Sequence, residues 1–403
     1  MIPVTDAIQI VRDQAAKFDS ESVCLTEASN RFLAEDIIAD TDLPPFDRAQ
    51  MDGYAVRSDE VAKTPVRLRI AGESAAGAGW HHEMKSGEAV RIMTGAPVPK
   101  GADAVQQVEL TREDVLGVVE ILQPVNSGRS IVRQASEIKA GETVLRAGEQ
   151  ISAAMIATLA SFGYADVRVS RRPRVAVMAT GSELVDVNQK PARDQIRDSN
   201  NYTIEAYASQ SNAIIERLPL VGDNTEELKR TIREAAEASD LLITSGGVSM
   251  GVYDFTKAAL KELGAEIFFE RVALRPGKPT VFARLGNALV FGLPGNPVSV
   301  AVTFNLFVRT ALRAMQGAKH PTLDLAHAVL AGDVKGSIDR ESYLPAVLRT
   351  DENGVLLAEP LKWGGSSDFV AFAPATALIK VPAGAELIEK GNTVKLLRLP
   401  SSS

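Results

Sequence analysis

The sequence has 403 residues, more than one compact core usually holds, so its length predicts two to four domains. Hydrophobic residues make up 45% and charged residues 24%, while a net charge of −7 argues against a general nucleic-acid-binding protein. One cysteine, Cys24, excludes an internal disulfide framework and suits the cytoplasm, and we expect neither a signal peptide nor a membrane-spanning segment.

The first half of the chain predicts two helices with a β-rich segment between them. Residues 4–18 have the apolar spacing of an amphipathic helix that Thr5 could cap. Residues 44–137 contain short strand-like runs such as "VRLRI" and "VVEILQPV", which glycines, prolines and acidic turns interrupt. The run "SAAMIATLASFG" then predicts a helix that Ser152 caps and Gly163 ends.

The second half predicts an α/β domain followed by a β domain. From "RRPRVAVMATGSEL" to about residue 315, apolar strands alternate with amphipathic helices, which indicates a parallel sheet with helices on its faces. Residues 320–403 return to short strands and turns such as "ALIKVPAG" and "TVKLLRL". This tail predicts a small β domain.

Three strands of the α/β segment run into glycine-bearing loops. These are "RVAVMAT" before "GSEL", "DLLIT" before "SGGVSMGVYDFTK", and "ALVFG" before "LPGNPVS". Ligands of open parallel sheets bind outside the carboxyl ends of the strands, so we expect one shared pocket. Asn296 and Pro297 predict a helix start that favours an oxyanion, and Arg271, Arg275 and Lys278 add positive charge. Together they predict a site for a phosphorylated ligand.

Each of these features also has a simpler interpretation. Gly246 and Gly247 could form an ordinary tight turn, and Asp223 and Asp254 could cap the helices that follow them. Glu183 could be a solvated surface charge. The convergence of three such loops beside one basic turn is what favours a binding site.

A hydrolase interpretation is disfavoured. Residues 247–251 match G-x-S-x-G, but Ser245 and Gly246 separate that motif from the preceding strand. The two downstream histidines, His320 and His327, lie beyond the α/β segment. No phosphate-binding P-loop and no zinc-ligand spacing occurs in the sequence.

Six motifs together resemble one family. They are "PPFDRAQMDGYAVR", "RIMTGAPVP", "TGSEL", "TSGGVSMGVYDFTK", "RPGKP" and "GLPGNPVS". They occur in the order found in the molybdopterin molybdenumtransferases, and the E domain of gephyrin is similar. The resemblance covers nearly the whole chain.

The resemblance implies a multidomain α/β fold in four parts. These are an elongated N-terminal domain of residues 1–43 plus 138–170, a β-rich lid of residues 44–137, a molybdopterin-binding α/β domain of residues 171–318 resembling the molybdopterin adenylyltransferases, and a C-terminal β-barrel-like domain of residues 319–403. It also implies a homodimer in which the α/β domain of one subunit and the lid of the other form the active site. Asp47 and Asp52 in "FDRAQMDGYAV" would then be the second half of that site.

The implied reaction inserts molybdate, the metal substrate, into adenylylated molybdopterin, with Mg²⁺-dependent cleavage of the adenylate and release of AMP. Implied partners are the molybdopterin adenylyltransferase and the enzymes that receive the finished cofactor, with no nucleic acid and no membrane. The implied location is the cytoplasm.

The resemblance assigns roles to individual residues. Those implied in catalysis are Asp52, Thr94, Glu183, Asp223 and Asp254. Those implied in substrate binding are Ser245, Gly246, Gly247, Ser249, Arg271, Arg275, Lys278, Pro294, Gly295, Asn296, Ser299, Arg340 and Ser366. Those implied as metal ligands are Asp52, Glu137, Glu183 and Asp254.

The sequence departs from the family pattern at several of these positions. Ser182 replaces the acid of the usual "TGDEL", and Glu137 stands where an aspartate is usual. Arg271 and Arg275 replace lysines, which keeps the charge but offers a planar fork. We therefore expect altered metal geometry with anion binding retained.

Three other functions remain open at the sequence level. An adenylyltransferase would share the "TSGGVS" type of domain but needs neither the lid nor the β tail. A scaffold like gephyrin would bind a partner peptide. The acidic cluster and the intact glycine-bearing loops argue against binding of this kind as the protein's sole role. A paralogue that uses tungstate is equally compatible, because tungstate and molybdate have similar charge and shape.

Overall fold

A computed structural model describes four stretches of the chain, residues 1–114, 117–221, 224–246 and 255–400. The chain divides into two compact units. The first contains residues 1–35, 147–153 and 166–403, and the second contains residues 36–146 and 154–165. The four domain boundaries expected from the sequence stay a prediction.

A six-stranded sheet forms the centre of the first unit. In spatial order its strands are Ile214–Arg217, Arg174–Ala179, Leu241–Ser245, Ala288–Leu293, Val281–Leu285 and Glu266–Phe269. The first four run parallel, whereas the last two are added antiparallel at one edge. The expected parallel sheet is therefore the part that leads into the glycine-bearing loops.

Side chains of the central sheet alternate between two apolar cores. Val175 and Val177 pack into one core, and Ala176 and Met178 pack into the other, as the period of two in a strand requires. Helices cover both faces, which confirms the α/β class. They are Val4–Gln14, Asn200–Ser209 and Pro297–Met315 on one face, and Thr225–Ala238 and Phe255–Glu262 on the other.

Two helix caps differ from the expectation. The first helix begins at Val4 after Pro3, so Thr5 lies inside its first turn, where its hydroxyl donates to Asp6. Thr5 was therefore wrong as a cap, and the helix ends at Gln14 instead of continuing to residue 18. Asn224 caps the helix Thr225–Ala238 by accepting from two backbone amides.

The long apolar helix after the third loop is a core helix. It runs through Pro297–Thr303, one turn of π-helix at Phe304–Val308, and Arg309–Met315. Among the described residues it alone is long and apolar enough to cross a membrane, but 83% of its most apolar window is buried within the protein. Its apolar character therefore serves the packing of the first unit.

A closed β-barrel completes the first unit and confirms the β-barrel-like prediction. Its strands are Leu325–Leu330, Glu341–Thr350, Leu356–Pro360, Ala377–Val381 and Thr393–Arg398. The barrel closes because Glu341–Thr350 pairs with both Leu356–Pro360 and Ala377–Val381. The short strand Leu274–Arg275 pairs with the start of Glu341–Thr350 and so joins the barrel to the α/β part.

The second unit is built on another six-stranded sheet. In spatial order its strands are Ala104–Gln107, Gly53–Val56, Glu88–Ile92, Val66–Ser74, Val118–Ile121 and Thr111–Glu113. Tyr54 and Val56 enter one apolar cluster and Ala55 enters another, so both faces of the sheet are covered. The β-rich character expected for this segment is confirmed.

The remaining elements are short paired strands and short helices. Paired strands are Ser20–Cys24 with Asp166–Ser170, Ile37–Ile38 with Thr143–Leu145, Arg48–Ala49 with Ile131–Val132, Leu184–Val185 with Ile196–Arg197, and Val334–Lys335 with Leu387–Ile388. Short helices are Leu25–Glu27, Val108–Leu110, Ala153–Ser161 and Phe369–Phe372.

Candidate functional site

The described parts of the three strand-end loops meet at one cavity of about 570 Å³, here called the strand-end cavity. Glu183 from the first loop, Ser245 and Gly246 from the second, and Gly295 and Asn296 from the third line it. The cavity lies at the carboxyl ends of the parallel strands, where ligands of open α/β sheets bind. Gly247, Ser249, Asp223 and Asp254 lie outside the described residues.

Backbone hydrogen bonds join the three loops to one another. The amide of Thr180 donates to the carbonyl of Ser245 at 2.9 Å, and the amide of Gly246 donates to the carbonyl of Leu293 at 3.2 Å. Gly246 has a φ of +91°, and an added Cβ would lie 2.4 Å from the carbonyl oxygen of Thr180. Glycine is required here for both its backbone angle and its closeness to the neighbouring loop.

Asn200 links two of these loops, and the sequence analysis missed it. Its Nδ2 donates to the hydroxyl of Ser245 at 2.8 Å and to the carbonyl of Gly295 at 2.7 Å. Its Oδ1 is buried without a hydrogen-bond partner among the described residues. The signal available in the sequence was "DSNN" before an apolar-spaced helix, a typical helix start.

Two helices begin at the strand-end cavity, whose lining contains one basic residue among the described residues, Arg197. The helices Asn200–Ser209 and Pro297–Thr303 both begin at its wall, where the amides of Asn200 and Asn201 donate to Asp198 and the amide of Val298 donates to the carbonyl of Ser366. Asp198, also missed from the sequence, lines the same cavity and is only 5% exposed. Burial raises the pKa of its carboxyl, against the opposing hydrogen bonds from the amides of Asn200 and Asn201.

A second cavity of about 610 Å³, here called the basic cavity, lies on the other side of Asn296. Asn296 lines both cavities. It holds the N-cap position as expected, but its side chain makes no capping hydrogen bond. Instead its Nδ2 donates to the hydroxyl of Ser366 at 2.8 Å, and the amide of Val298 donates to the carbonyl of Ser366 at 3.0 Å. The segment around Ser366 thus covers the start of the long helix.

Four cationic side chains line the basic cavity. They are Arg275, Lys278, Lys335 and Arg340, accompanied by one carboxylate, Asp333. Guanidinium and ammonium groups around one space favour a tetrahedral oxyanion. Pro294, Ser299 and Ser366 line the same space.

Arg271 lies apart from both cavities. Its side chain is exposed and it contributes to the lining of neither, although its carbonyl accepts from the amide of Ile2 at 3.1 Å. Of the basic residues expected near this turn, Arg275 and Lys278 alone reach a cavity in the described structure.

In the second unit, Asp52 and Thr94 contact each other directly. Asp52 Oδ1 accepts from the amide of Thr94 at 2.7 Å and from its hydroxyl at 2.8 Å. These two bonds, the amide first, lower the pKa of Asp52 below its usual value. Its Oδ2 accepts no hydrogen bond from any described residue, so one oxygen of an exposed, ionised carboxylate stays available.

The other acids expected in the second unit have local partners. Asp47 pairs with Arg133 at 2.6 Å and accepts from the amide of Gln134 at 2.8 Å, which ties a turn together. Glu137 lies 3.4 Å from Arg48. Within the described stretches no group of three or more His, Cys, Asp or Glu side chains is arranged to hold a metal ion. The expected metal ligands therefore stay a prediction.

Comparisons with known proteins cover nearly the whole chain. Residues 2–163 match the family model of the MoeA N-terminal region, domains I and II. Residues 176–314 match a probable molybdopterin binding domain, and residues 327–399 match the MoeA C-terminal region, domain IV.

Individual relatives agree with these matches. The molybdopterin molybdenumtransferase of Bacillus subtilis is 36% identical, over 98% of this chain and 94% of its own. The molybdopterin molybdenumtransferase of Haemophilus influenzae is also 36% identical, over 94% of this chain and 93% of its own. The crystal structure of the molybdopterin biosynthesis moeA protein from Pyrococcus horikoshii OT3 aligns with a TM-score of 0.86 and 28% identity, covering 99% of this chain and 100% of that one.

Proposed function

Because this chain belongs to the molybdopterin molybdenumtransferases, transferases of molybdenum cofactor biosynthesis, we propose that it inserts molybdate into adenylylated molybdopterin. In this proposal Mg²⁺-dependent cleavage of the adenylate accompanies insertion and releases AMP. The observation that supports it most directly is a pair of adjacent cavities, one at the strand ends and one lined by four basic residues, that share Asn296 as a wall. The reaction needs one space for a phosphorylated pterin and another for an oxyanion.

The strand-end cavity would hold the pyrophosphate end of the pterin substrate. Arg197 and the hydroxyl of Ser245, both in its lining, would donate to phosphoryl oxygens. Such preorganised donors also stabilise charge that develops on a phosphoryl group during cleavage. Ser245 would be kept in position by Asn200.

The basic cavity would hold molybdate. Lys278 and Arg340 supply positive charge and charge-assisted hydrogen bonds, and the hydroxyls of Ser299 and Ser366 supply further donors. A dianion held there would lie next to the pterin substrate across Asn296. Tungstate would satisfy the same donors, so this cavity gives no reason to exclude it.

Asp52 is the acid that best fits a role with Mg²⁺. Magnesium binds oxygen ligands and often keeps several waters with only one or two carboxylates. Asp52 is ionised and exposed, and Glu183 at the strand-end cavity is a second candidate. Asp52 and Glu183 would hold the ion, and the chemistry it would supply is positive charge beside the phosphoryl oxygens. Thr94 would hold Asp52 in one orientation.

We include the homodimer in this proposal, with Asp52 and Thr94 of one subunit serving the site of the other. Sedimentation of the purified protein measures this assembly, and a monomer at working concentration would contradict it. A cytoplasmic location and hand-over of substrate and product between the adenylyltransferase and cofactor-receiving enzymes belong to the same proposal.

The test is a reaction with purified protein, adenylylated molybdopterin, molybdate and Mg²⁺, in which AMP release is measured. We expect AMP to appear only when molybdate and Mg²⁺ are both present, and chelation of Mg²⁺ to stop it. Asp52→Asn should lose turnover by at least about 100-fold while it keeps its fold, because general acid–base and electrostatic roles contribute on that order. Full activity of this variant would contradict the role of Asp52.

A second reaction tests for the alternative activity, that of an adenylyltransferase. The same protein receives ATP and free molybdopterin, and formation of the adenylylated pterin is measured. Adenylylation in this arm without AMP release in the first would replace the proposed function by that of an adenylyltransferase. Replacing molybdate by tungstate in the first arm measures the metal preference.

A further inference from the structure

A third cavity, here called the arginine cavity, lies at the opposite end of the central sheet. Its volume is about 630 Å³, and it is lined by Arg31, Arg171, Arg172 and Arg174. Arg174 begins the strand Arg174–Ala179, whose other end leads to the strand-end cavity. A strand of that length separates the two cavities by about 20 Å, so the arginine cavity is no part of the proposed active site.

Two of these arginines are fixed in the wall. Arg171 makes a two-pronged pair with Asp240 at 2.7 Å and stacks on Phe18, with its guanidinium carbon 3.7 Å from the ring centre. Arg31 is only 3% exposed, pairs with Glu21, and donates to the carbonyl of Ser170 at 2.7 Å. Their positions are therefore set by the fold before any ligand arrives.

Arg31 also keeps an unused donor. Its Nε is buried and has no hydrogen-bond partner among the described residues. A buried guanidinium nitrogen without a partner is costly, and native proteins rarely leave one unless a further group satisfies it. The unpaired nitrogen belongs to a side chain that lines the cavity.

Arg172 and Arg174 are the accessible cations. Both are exposed, and neither forms an ion pair with any described residue. They lie two residues apart on either side of Pro173, so in extended chain both side chains point the same way. Nothing in the catalytic proposal uses them.

The acidic groups of the cavity do not cancel this charge. Glu21 in the lining is paired with Arg31, and Asp240, which is not in the lining, is paired with Arg171 and accepts from the amide of Arg174. Burial opposes ionisation of Asp240, but these hydrogen bonds outweigh it and hold its pKa below the usual value. Glu27 is the remaining acid in the lining, beside the hydroxyls of Thr26 and Ser29.

From this arrangement we propose that the arginine cavity binds the phosphate group of a small molecule. Guanidinium forks and hydroxyls match a tetrahedral dianion, which accepts from several donors at once. The cavity has the size of a small-molecule site, and the overall net charge of −7 disfavours a nucleic acid as its occupant. Free phosphate and a phosphate monoester share this chemistry.

The test compares two double variants that remove the same charge. Arg172→Ala with Arg174→Ala alters the cavity, whereas Arg230→Ala with Arg233→Ala alters exposed positions of the helix Thr225–Ala238. Inorganic phosphate and AMP are each titrated calorimetrically into both variants and the unaltered protein. Thermal unfolding midpoints check that all three are folded.

We expect the cavity variant to lose one phosphate-binding site per chain, or to bind phosphate there at least about tenfold more weakly, because it lacks the charge-assisted hydrogen bonds of both exposed arginines. The control variant should keep that site. AMP binding at the site identifies a phosphate monoester as the ligand, and phosphate binding without AMP binding identifies the free ion. Unchanged stoichiometry and affinity in the cavity variant would overturn the proposal, whatever the outcome of the AMP-release assay.

Discussion

At the scale of single residues, the contact between Asp52 and Thr94 has the clearest consequence. Thr94 donates twice to one carboxylate oxygen, which stabilises the ionised form and lowers the pKa of Asp52. The folded pKa thus lies below the unfolded one. Any stability that this contact contributes is present above the usual pKa of an aspartate and is lost as the pH falls through the lowered value.

Thr94→Val removes the hydroxyl donor and leaves the amide donor. We expect the pKa of Asp52 to rise towards its usual value, which the carboxyl carbon shift measures in an NMR titration. The acid limb of the AMP-release profile should move to higher pH in parallel. Thr111→Val is the matched control, because among the described residues its hydroxyl donates to the carbonyl of Val108 and not to Asp52. An unchanged titration of Asp52 would contradict the assigned role of Thr94.

At the scale of elements, one contact joins the long helix to the barrel part of the first unit. Asn296 at the start of the helix bonds to Ser366, which is 70 residues away in sequence. The same contact forms part of the wall of the basic cavity. The loop that we propose to line an oxyanion site is thus held by an element outside the α/β part.

A double-mutant cycle on Asn296→Ala and Ser366→Ala measures this contact. We expect a coupling free energy of about 1 kcal/mol in urea unfolding, the usual net contribution of such a hydrogen bond. The KM for molybdate should rise in both single variants. The control combines Asn296→Ala with Ser337→Ala. Because Ser337 bonds to Asp339, the effects of these two substitutions on the free energy of unfolding should add. Additive effects of Asn296→Ala and Ser366→Ala would mean that the contact stabilises nothing.

At the scale of the whole molecule, the central sheet positions cavities at both of its ends. Phe291 lies in the strand Ala288–Leu293, is completely buried, and stacks on Phe282 with ring centres 4.6 Å apart. This packing holds the strand that leads to the third loop. The geometry of the site therefore depends on a core some distance from it.

Phe291→Ala should lower the free energy of unfolding by about 3–5 kcal/mol, the range for a buried phenylalanine that leaves a cavity. Phe369→Ala is the matched control, because Phe369 is 52% exposed and should change stability by less than about 1 kcal/mol. Urea unfolding measures both. Equal losses in the two variants would contradict the assignment of Phe291 to the stabilising core.

The sequence by itself determined the class of the fold and predicted the neighbourhood of the candidate site. Continuous apolar runs such as "RVAVMAT" predict buried strands, in which successive side chains take opposite faces, and this depends only on residues close in sequence. Glycines after three strands were enough to predict a shared cavity, since parallel strands end at one edge. Six ordered motifs were enough to predict the family.

The tertiary structure decided which side chains meet. Asn200 reaches Gly295 across 95 residues, and Arg31 shares a cavity with Arg174, pairings that no local pattern encodes. It also decided that Asn296 bonds to Ser366 instead of capping its helix, and that Arg271 is absent from the lining of both cavities. The reason is physical, because local spacing sets the direction of a side chain within its element, whereas packing between elements chooses its partners.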